Sequence, residues 1–312
     1  MKRISIFSLG VLAMCTASAQ QLPDYTQYPS LNPLINAAYT GTKGTVDARL
    51  NYRAQWMGFD DAPVQQTALV HSRLLKGMLG IGAMVSNDVT GPSSRFTYGF
   101  MAAFHLRFPD VEFSAGIGLN FSKYNFNAAN LTQHWTNDPA FAPGLNTFDK
   151  KRNPNAGLLL YNDRFHFGFS LVNMLQSKYN LGETVVRNEN HYYFTFGYNF
   201  HGHPDFVWEN NLFATIVKGL PITINYNLRL HIREKIIAGV AWRLRDAVAL
   251  QAGMVFLNDY QFVYSYDLGI SRLRGGHSGS HELTLGYRFD FNKRGGKYKN
   301  FDSFQKQKYH LF

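Results

Sequence analysis

The stretch with the clearest chemical potential is His201-Gly202-His203-Pro204-Asp205, where two imidazoles and a carboxylate crowd together. Those are ligands a transition metal accepts. Gly and Pro between them signal a turn, and no further ligand lies nearby, so the stretch reads as a turn with polar tips. His277, Ser278, Ser280 and His281 bring hydroxyls and imidazoles together, the raw material of nucleophilic catalysis. They flank a Gly-rich hairpin and no Gly-x-Ser-x-Gly elbow accompanies them. Without an assembled constellation the expectation is no enzyme, no cofactor and no metal. The pairs Gly80/Gly82 and Gly116/Gly118 resemble fragments of a phosphate loop, but a spacing of two puts each pair on one face of a strand. There they leave room for a bulky neighbour.

Cys15 is the only cysteine. It falls in the segment expected to be removed, so disulfides, thiolate catalysis and Cys-based zinc sites are excluded from the mature chain. The net charge is +10, or +8 once Lys2 and Arg3 leave with that segment. An exported protein meets little nucleic acid, so anionic lipid, peptidoglycan or an acidic protein are better partners for this charge.

The elements that carry these groups start after a secretory signal. Met1-Lys2-Arg3, an apolar run from Ile4 to Met14 and the small residues Thr16-Ala17-Ser18-Ala19 form its three parts, with cleavage after Ala19 or Gln20. The run is shorter than the ~20 apolar residues of a membrane-spanning helix. From Val46 onward the dominant period is two. His281, Leu283, Leu285, Tyr287, Phe289 and Phe291 share one face of the last strand; Ser280, Glu282, Thr284, Gly286, Arg288 and Asp290 share the other. One face suits lipid and the other water or a polar interior.

Fourteen such segments begin near Val46, Gln65, Met78, Arg95, Val111, Asn155, Phe165, Asn190, Phe206, Ile222, Ile236, Ala247, Tyr260 and Ser280. Each approaches the ~9–11 residues that a tilted strand needs to cross a bilayer. Short links alternate with longer ones at Ala54–Val64, Asn87–Ser94, Lys123–Pro154, Met174–Glu189 and Arg272–Gly279. Short periplasmic turns and long external loops mark an all-β, antiparallel, up-and-down barrel of about 14 strands in the outer membrane. The expected organisation is a signal at 1–20, a periplasmic leader at 21–45, a barrel at 46–291 and a basic periplasmic tail at 292–312. Arg49, Arg53, Arg73, Arg107, Glu112, Arg229, Asp267, Glu282, Arg288 and Asp290 should face inward. Mixed charges inside a protein satisfy one another, which favours a paired and plugged lumen over an open path.

Several blocks resemble a known family. Tyr25-Thr26-Gln27-Tyr28 with Asn32-Pro33 and Asn36-Ala37-Ala38-Tyr39-Thr40-Gly41, then Tyr52-Arg53-Ala54-Gln55-Trp56, resemble the opening blocks of the PorP/SprF family of Bacteroidota. Asn87-Asp88, Gly91-Pro92, Tyr266-Asp267 and His281-Glu282 look like further family positions. Ala37-Ala38 stands where the family more usually has Pro-Ala, and Thr40 where it has Ala.

The resemblance implies an outer-membrane component of type IX protein secretion and, in some members, gliding motility. Its implied partners are membrane lipid or lipopolysaccharide, a periplasmic peptidoglycan-binding protein, and an exported surface protein or adhesin. Candidate partner contacts are Tyr52, Arg53, Gln55 and Trp56, with Trp135, Phe141 and Phe148 from the long Lys123–Pro154 link. Candidate periplasmic contacts are Lys293, Arg294, Lys297 and Lys299. The competing function for such a barrel is a diffusion porin or nutrient channel.

Overall fold

The alternation of polar and apolar residues becomes a closed antiparallel barrel of fourteen strands in the computed structural model, which describes residues 24–44, 46–127, 146–181, 184–257, 259–271 and 276–289. In chain order the strands are β1 (Val46–Ala54), β2 (Val64–Leu74), β3 (Leu79–Thr90), β4 (Ser93–Arg107), β5 (Glu112–Asn127), β6 (Asn146–Tyr161) and β7 (Phe165–Val172). A separate hairpin, β8 (Lys178–Leu181) with β9 (Thr184–Arg187), follows. The wall resumes with β10 (His191–His203), β11 (Phe206–Val217), β12 (Thr223–Ile232), β13 (Ile236–Arg243), β14 (Ala247–Phe256), β15 (Tyr260–Gly269) and β16 (Ser280–Phe289). Each wall strand pairs with the next, and β1 closes on β16 from Val46↔Phe289 to Ala54↔His281.

The two faces separate as the period of two requires. On β1, Asp47, Arg49, Asn51 and Arg53 are buried inward, while Leu50 and Tyr52 face out at 58% and 46% exposure. Outward apolar side chains recur on strand after strand, among them Phe96, Phe100 and Phe104 on β4 and Ile117 on β5. A belt of that extent is stable only against lipid. Links of two to four residues join β2 to β3, β4 to β5, β6 to β7, β10 to β11, β12 to β13 and β14 to β15 at the end that carries Val46 and Phe289. The longer links fall at the other end, although β3–β4 and β13–β14 are closed tightly there too; this bias matches short periplasmic turns and longer external loops. In the β12–β13 link, Arg233 and Glu234 take φ of 49° and 57°. This double positive-φ geometry lets Lys235 N–H donate to the Ile232 carbonyl (3.0 Å) within the three-residue link.

Three features depart from the sequence reading. β6 begins at Asn146 rather than near Asn155, so the described ends of the expected Lys123–Pro154 loop are strand, and β3 and β4 stay paired up to Thr90↔Ser93, which makes most of the expected Asn87–Ser94 loop strand. The Met174–Glu189 link contains the β8–β9 hairpin. β6 pairs with β7 only over Ala156–Tyr161, which leaves the β7-side edge of its upper half uncovered by the wall. Asn180 N–H donates to Asp149 (3.0 Å), Ser177 Oγ donates to the Arg152 carbonyl (3.2 Å), and Tyr179 packs beside Tyr124 at 5.6 Å. The hairpin thereby shields a strand edge that would otherwise invite foreign pairing.

The third feature concerns the leader, expected to be periplasmic, with the residues leaving open whether it plugs the barrel. Asp24–Gly44 lies inside it. Two 3-10 turns, Tyr28–Ser30 and Ala37–Tyr39, flank a one-turn helix α1 (Asn32–Ile35), with Pro29 and Pro33 in the first turns. Proline suits those positions, where its missing N–H is not needed. Helices this short do not persist alone in water, so the wall must hold them. The tail expected from 292 onward lies outside the described residues.

Candidate functional site

The lumen is organised around the leader, which enters near the loop end and descends to β1 at the periplasmic end. At the top, Arg53 is 1% exposed and bridges Asp267 (2.8 Å) and Glu282 (2.9 Å). Thr26 completes the cluster. Its backbone N–H donates to Glu282 (2.8 Å), and its hydroxyl donates to Asp267 (2.8 Å) while accepting from Arg53 (3.0 Å) and Arg243 (2.8 Å). Gln27 adds a backbone bond to Glu282 (3.2 Å) and side-chain bonds to Ser265 (3.1 Å) and the Glu282 carbonyl (2.9 Å). Arg243 also pairs with Asp24 at 3.2 Å. Buried charges are tolerated only with opposite charges and hydrogen bonds of this kind around them.

Midway down, the leader touches backbone that glycines expose. Asn36 donates from Nδ2 to the carbonyls of Leu158 (3.0 Å) and Phe169 (3.2 Å), while its Oδ1 accepts from Ala38 N–H (2.9 Å). A Cβ on Gly157 would sit 2.0 Å from that Oδ1, and one on Gly116 would meet the Ala38 nitrogen at 2.3 Å. Ser114 and Ser170 donate to the carbonyls of Ala38 (2.8 Å) and Ile35 (2.7 Å). Lower still, His105 Nε2 donates to the Thr40 carbonyl (2.9 Å), and Gly41 N–H donates to His71 Nδ1 (3.0 Å).

Apolar contact completes the seat. Tyr28 and Ile35 cluster with Val172, Tyr193 and Phe213; Ala38 and Tyr39 with Leu159 and Tyr161; Ala37 with Leu69 and Met101. Leu69, Met101, Leu159 and Phe213 are large apolar side chains on inward faces that also carry polar residues, and each meets the leader. Above it a vestibule lined by Tyr25, Met84, Asp88, Arg95, His191 and Tyr193 faces the loop end. Burial pushes the Tyr25 hydroxyl up to about 12, so it stays protonated beside Thr67 (2.8 Å).

Most of the remaining inward charges pair, as the sequence reading favoured, while Arg229 bonds neutral groups. Arg73 and Arg107 share Glu112, Arg288 and Arg49 share Asp47, and Arg229 reaches Gln251 (2.8 Å) and Ser30 (3.1 Å). Asp290 lies outside the described residues. Gly80 and Gly82 frame Thr40, which gives the spacing of these glycines its reason.

The expected contact residues scatter. Tyr52 faces lipid from β1, whereas Arg53, expected to meet a partner, is sealed inside because its parity on β1 is that of the lumen. Gln55 N–H donates to the Pro63 carbonyl (2.9 Å), and Trp56, at φ 49°, donates its N–H to Ser280 Oγ (3.1 Å). Phe148 projects outward from β6 at 57% exposure. Trp135, Phe141, Lys293, Arg294, Lys297 and Lys299 lie outside the described residues. Ser278 donates to the Met57 carbonyl (2.9 Å) and His281 meets the Tyr264 hydroxyl (2.7 Å), so these groups fasten neighbouring loops and strands. His203 Nδ1 accepts from Asp205 N–H (3.1 Å) within its own turn.

Among solved structures, the toluene transporter TbuX of Ralstonia pickettii shares 9% identity at a TM-score of 0.50, over 82% of this chain and 93% of that one. A Pseudomonas aeruginosa FadL homologue shares 11% (TM-score 0.48; 88% and 96% covered), and the Acinetobacter baumannii outer membrane protein Omp33 shares 8% (0.47; 78% and 98%). Identity this low shows the fold alone. No curated protein gives a significant match. The family described as type IX secretion system membrane protein PorP/SprF matches residues 17–287.

Proposed function

The chain belongs to the PorP/SprF family of type IX secretion system membrane proteins, and we propose that it works there as a non-catalytic interaction barrel. It is a β-barrel of the outer membrane and associates with type IX secretion. In the proposed role its loop end holds an exported surface protein, such as an adhesin serving gliding motility. Its periplasmic end meets a peptidoglycan-linked partner through the tail bearing Lys293, Arg294, Lys297 and Lys299.

One observation carries this reading: the lumen is occupied by the chain's own leader, fastened to the wall from Thr26 to Gly41. A diffusion channel needs that space for its solute. The β5–β6 pair supports the same reading, because it is paired from Glu112↔Tyr161 to Asn127↔Asn146, far longer than a membrane crossing requires. The excess forms a stiff external stalk whose Phe148 offers aromatic contact area at small entropic cost.

The test is a tag after Phe312, gentle extraction from the native outer membrane, and identification of what copurifies. A peptidoglycan-binding protein together with a large surface protein is the expected result. Removing residues 128–145 should then lose the surface protein and keep the periplasmic one. A solitary barrel, under conditions that keep other outer-membrane complexes intact, would sink the proposal.

A further inference from the structure

Outside the lumen, the lipid-facing wall of β4, β5 and β6 carries a second feature. In the ladder register Phe96, Lys123 and Lys150 stand in one cross-strand row, and Tyr98, Phe121 and Arg152 in the row beneath. Lys123, Lys150 and Arg152 all project to the exposed, outward face. Directly paired like charges destabilise a ladder, yet Lys123 and Lys150 are direct partners. Both ammonium groups lie over the single ring of Phe148, at 4.6 and 5.9 Å from its centroid. Among the described residues no carboxylate pairs with any of the three cations. Asp149, on the opposite face of β6, is engaged by Lys151 (2.9 Å) and Asn180 (3.0 Å).

The height of these cations is fixed by the strand. Outward side chains on β4 run Leu106, Phe104, Ala102, Phe100, Tyr98, Phe96, every second residue. Six positions at ~6.7 Å spacing on a tilted strand cover about the 25 Å of an apolar band. The lysine row sits at its upper margin, at the loop end, where the headgroups of the outer leaflet lie. Below it Tyr98 and Phe121 stack at 5.1 Å and form, with the three cations, an open groove of ≈ 650 Å³.

We propose that this groove is a binding site for a phosphate-bearing acylated lipid of the outer leaflet. Its phosphate is held by Lys123, Lys150 and Arg152, and its acyl chains lie along the aromatic and aliphatic column below. The anion removes the repulsion between the paired lysines. Arg152 adds the planar fork that matches phosphate geometry. The site needs neither an open lumen nor a protein partner.

The experiment places the full-length protein in phosphatidylcholine nanodiscs and measures retention by native mass spectrometry. The probes are bisphosphorylated lipid A, the same lipid with its phosphates removed, and inorganic phosphate. Retention of the phosphorylated lipid should exceed that of the dephosphorylated form by at least about tenfold. The combined change Lys123→Gln, Lys150→Gln, Arg152→Gln should erase that difference, while Lys218→Gln, in the β11–β12 link that β7 and β10 separate from β6, should leave it intact. Heat-modifiable migration confirms folding, and if the triple variant does not fold, single Lys150→Gln and Arg152→Gln changes must each lower retention. Equal retention of both lipids, an unaffected folded variant, or saturation by inorganic phosphate with no preference for the lipid overturns the assignment.

Discussion

The carbonyl oxygen of Thr40 passes so close to Gly80 that a Cβ built on the glycine would lie 1.9 Å from it. The neighbour is backbone and cannot swing aside. Gly80→Ala should therefore displace the lower leader and cost about 1–3 kcal/mol, the range for overpacking, read from urea midpoints in detergent. In a chain lacking residues 24–44 the same substitution should be neutral. An equal cost in both backgrounds would place the strain in the wall and not at the leader.

Arg53→Met removes the cation shared by Asp267 and Glu282 and leaves two buried acids facing each other. Breaking such a group from one side costs about 3–5 kcal/mol. The expected signs are a lowered heat-modification temperature and new protease cleavage within Asp24–Gly44. Unchanged stability would mean that Arg243 alone can hold the cluster.

Deleting residues 24–44 should convert a silent barrel into a conducting one. A fourteen-stranded wall without its filling encloses room for water and ions. In planar bilayers the intact protein should show no stable open steps and the deleted form should show them. Conductance of equal size in both would mean that the leader leaves a path beside it.

Alkaline pH should loosen the leader. Tyr25 ionises at about 12 when buried against an ordinary value of 10.0, so the folded state keeps a proton that the unfolded state releases. Its contribution is fully present below pH 10 and is lost as pH rises from 10 through about 12. Burial raises Tyr28 and Tyr39 in the same direction. Tyr25→Phe should make the loss of stability across that window shallower, measured as unfolding midpoint against pH; an unchanged slope would contradict the burial of this hydroxyl.

Tyr179 is fully buried between the β8–β9 hairpin and Tyr124. Tyr179→Ala should free the hairpin locally, with faster tryptic cleavage at Lys178 and Arg187 and an unchanged barrel midpoint. A lowered midpoint would show that the hairpin is part of the wall's cooperative unit.

Much of this architecture was legible in residue order. Period two placed thirteen strand starts within about two residues, because a membrane wall demands strict alternation and a slip of one inverts both faces. The start of β6 was hidden. Pro154 reads as a strand breaker, and Lys150, Lys151 and Arg152 blur the alternation; the proline is accepted because β6 has no β7 partner at that height. The inner site was half legible. Parity identified the inward charges, but pairing specific acids with Arg53 requires knowing that β1 and β16 meet. The leader left a signal that went unread: Leu69, Met101, Leu159 and Phe213, large and apolar on inward faces that also carry polar residues, mark where something other than water fills the space.

The top of the lumen joins the earliest described residues to nearly the last. Thr26 bonds Asp267 and Glu282, 241 and 256 residues away, while Arg53 and Asn51 from the first strand grip the same Glu282. These groups straddle the seam where the ring shuts. The leader is thus a stitch across the closure as well as a filling, and a chain still missing β16 has only half its knot. Seating the top of the leader and completing the ring therefore draw on the same buried groups, so whatever loosens one loosens the other.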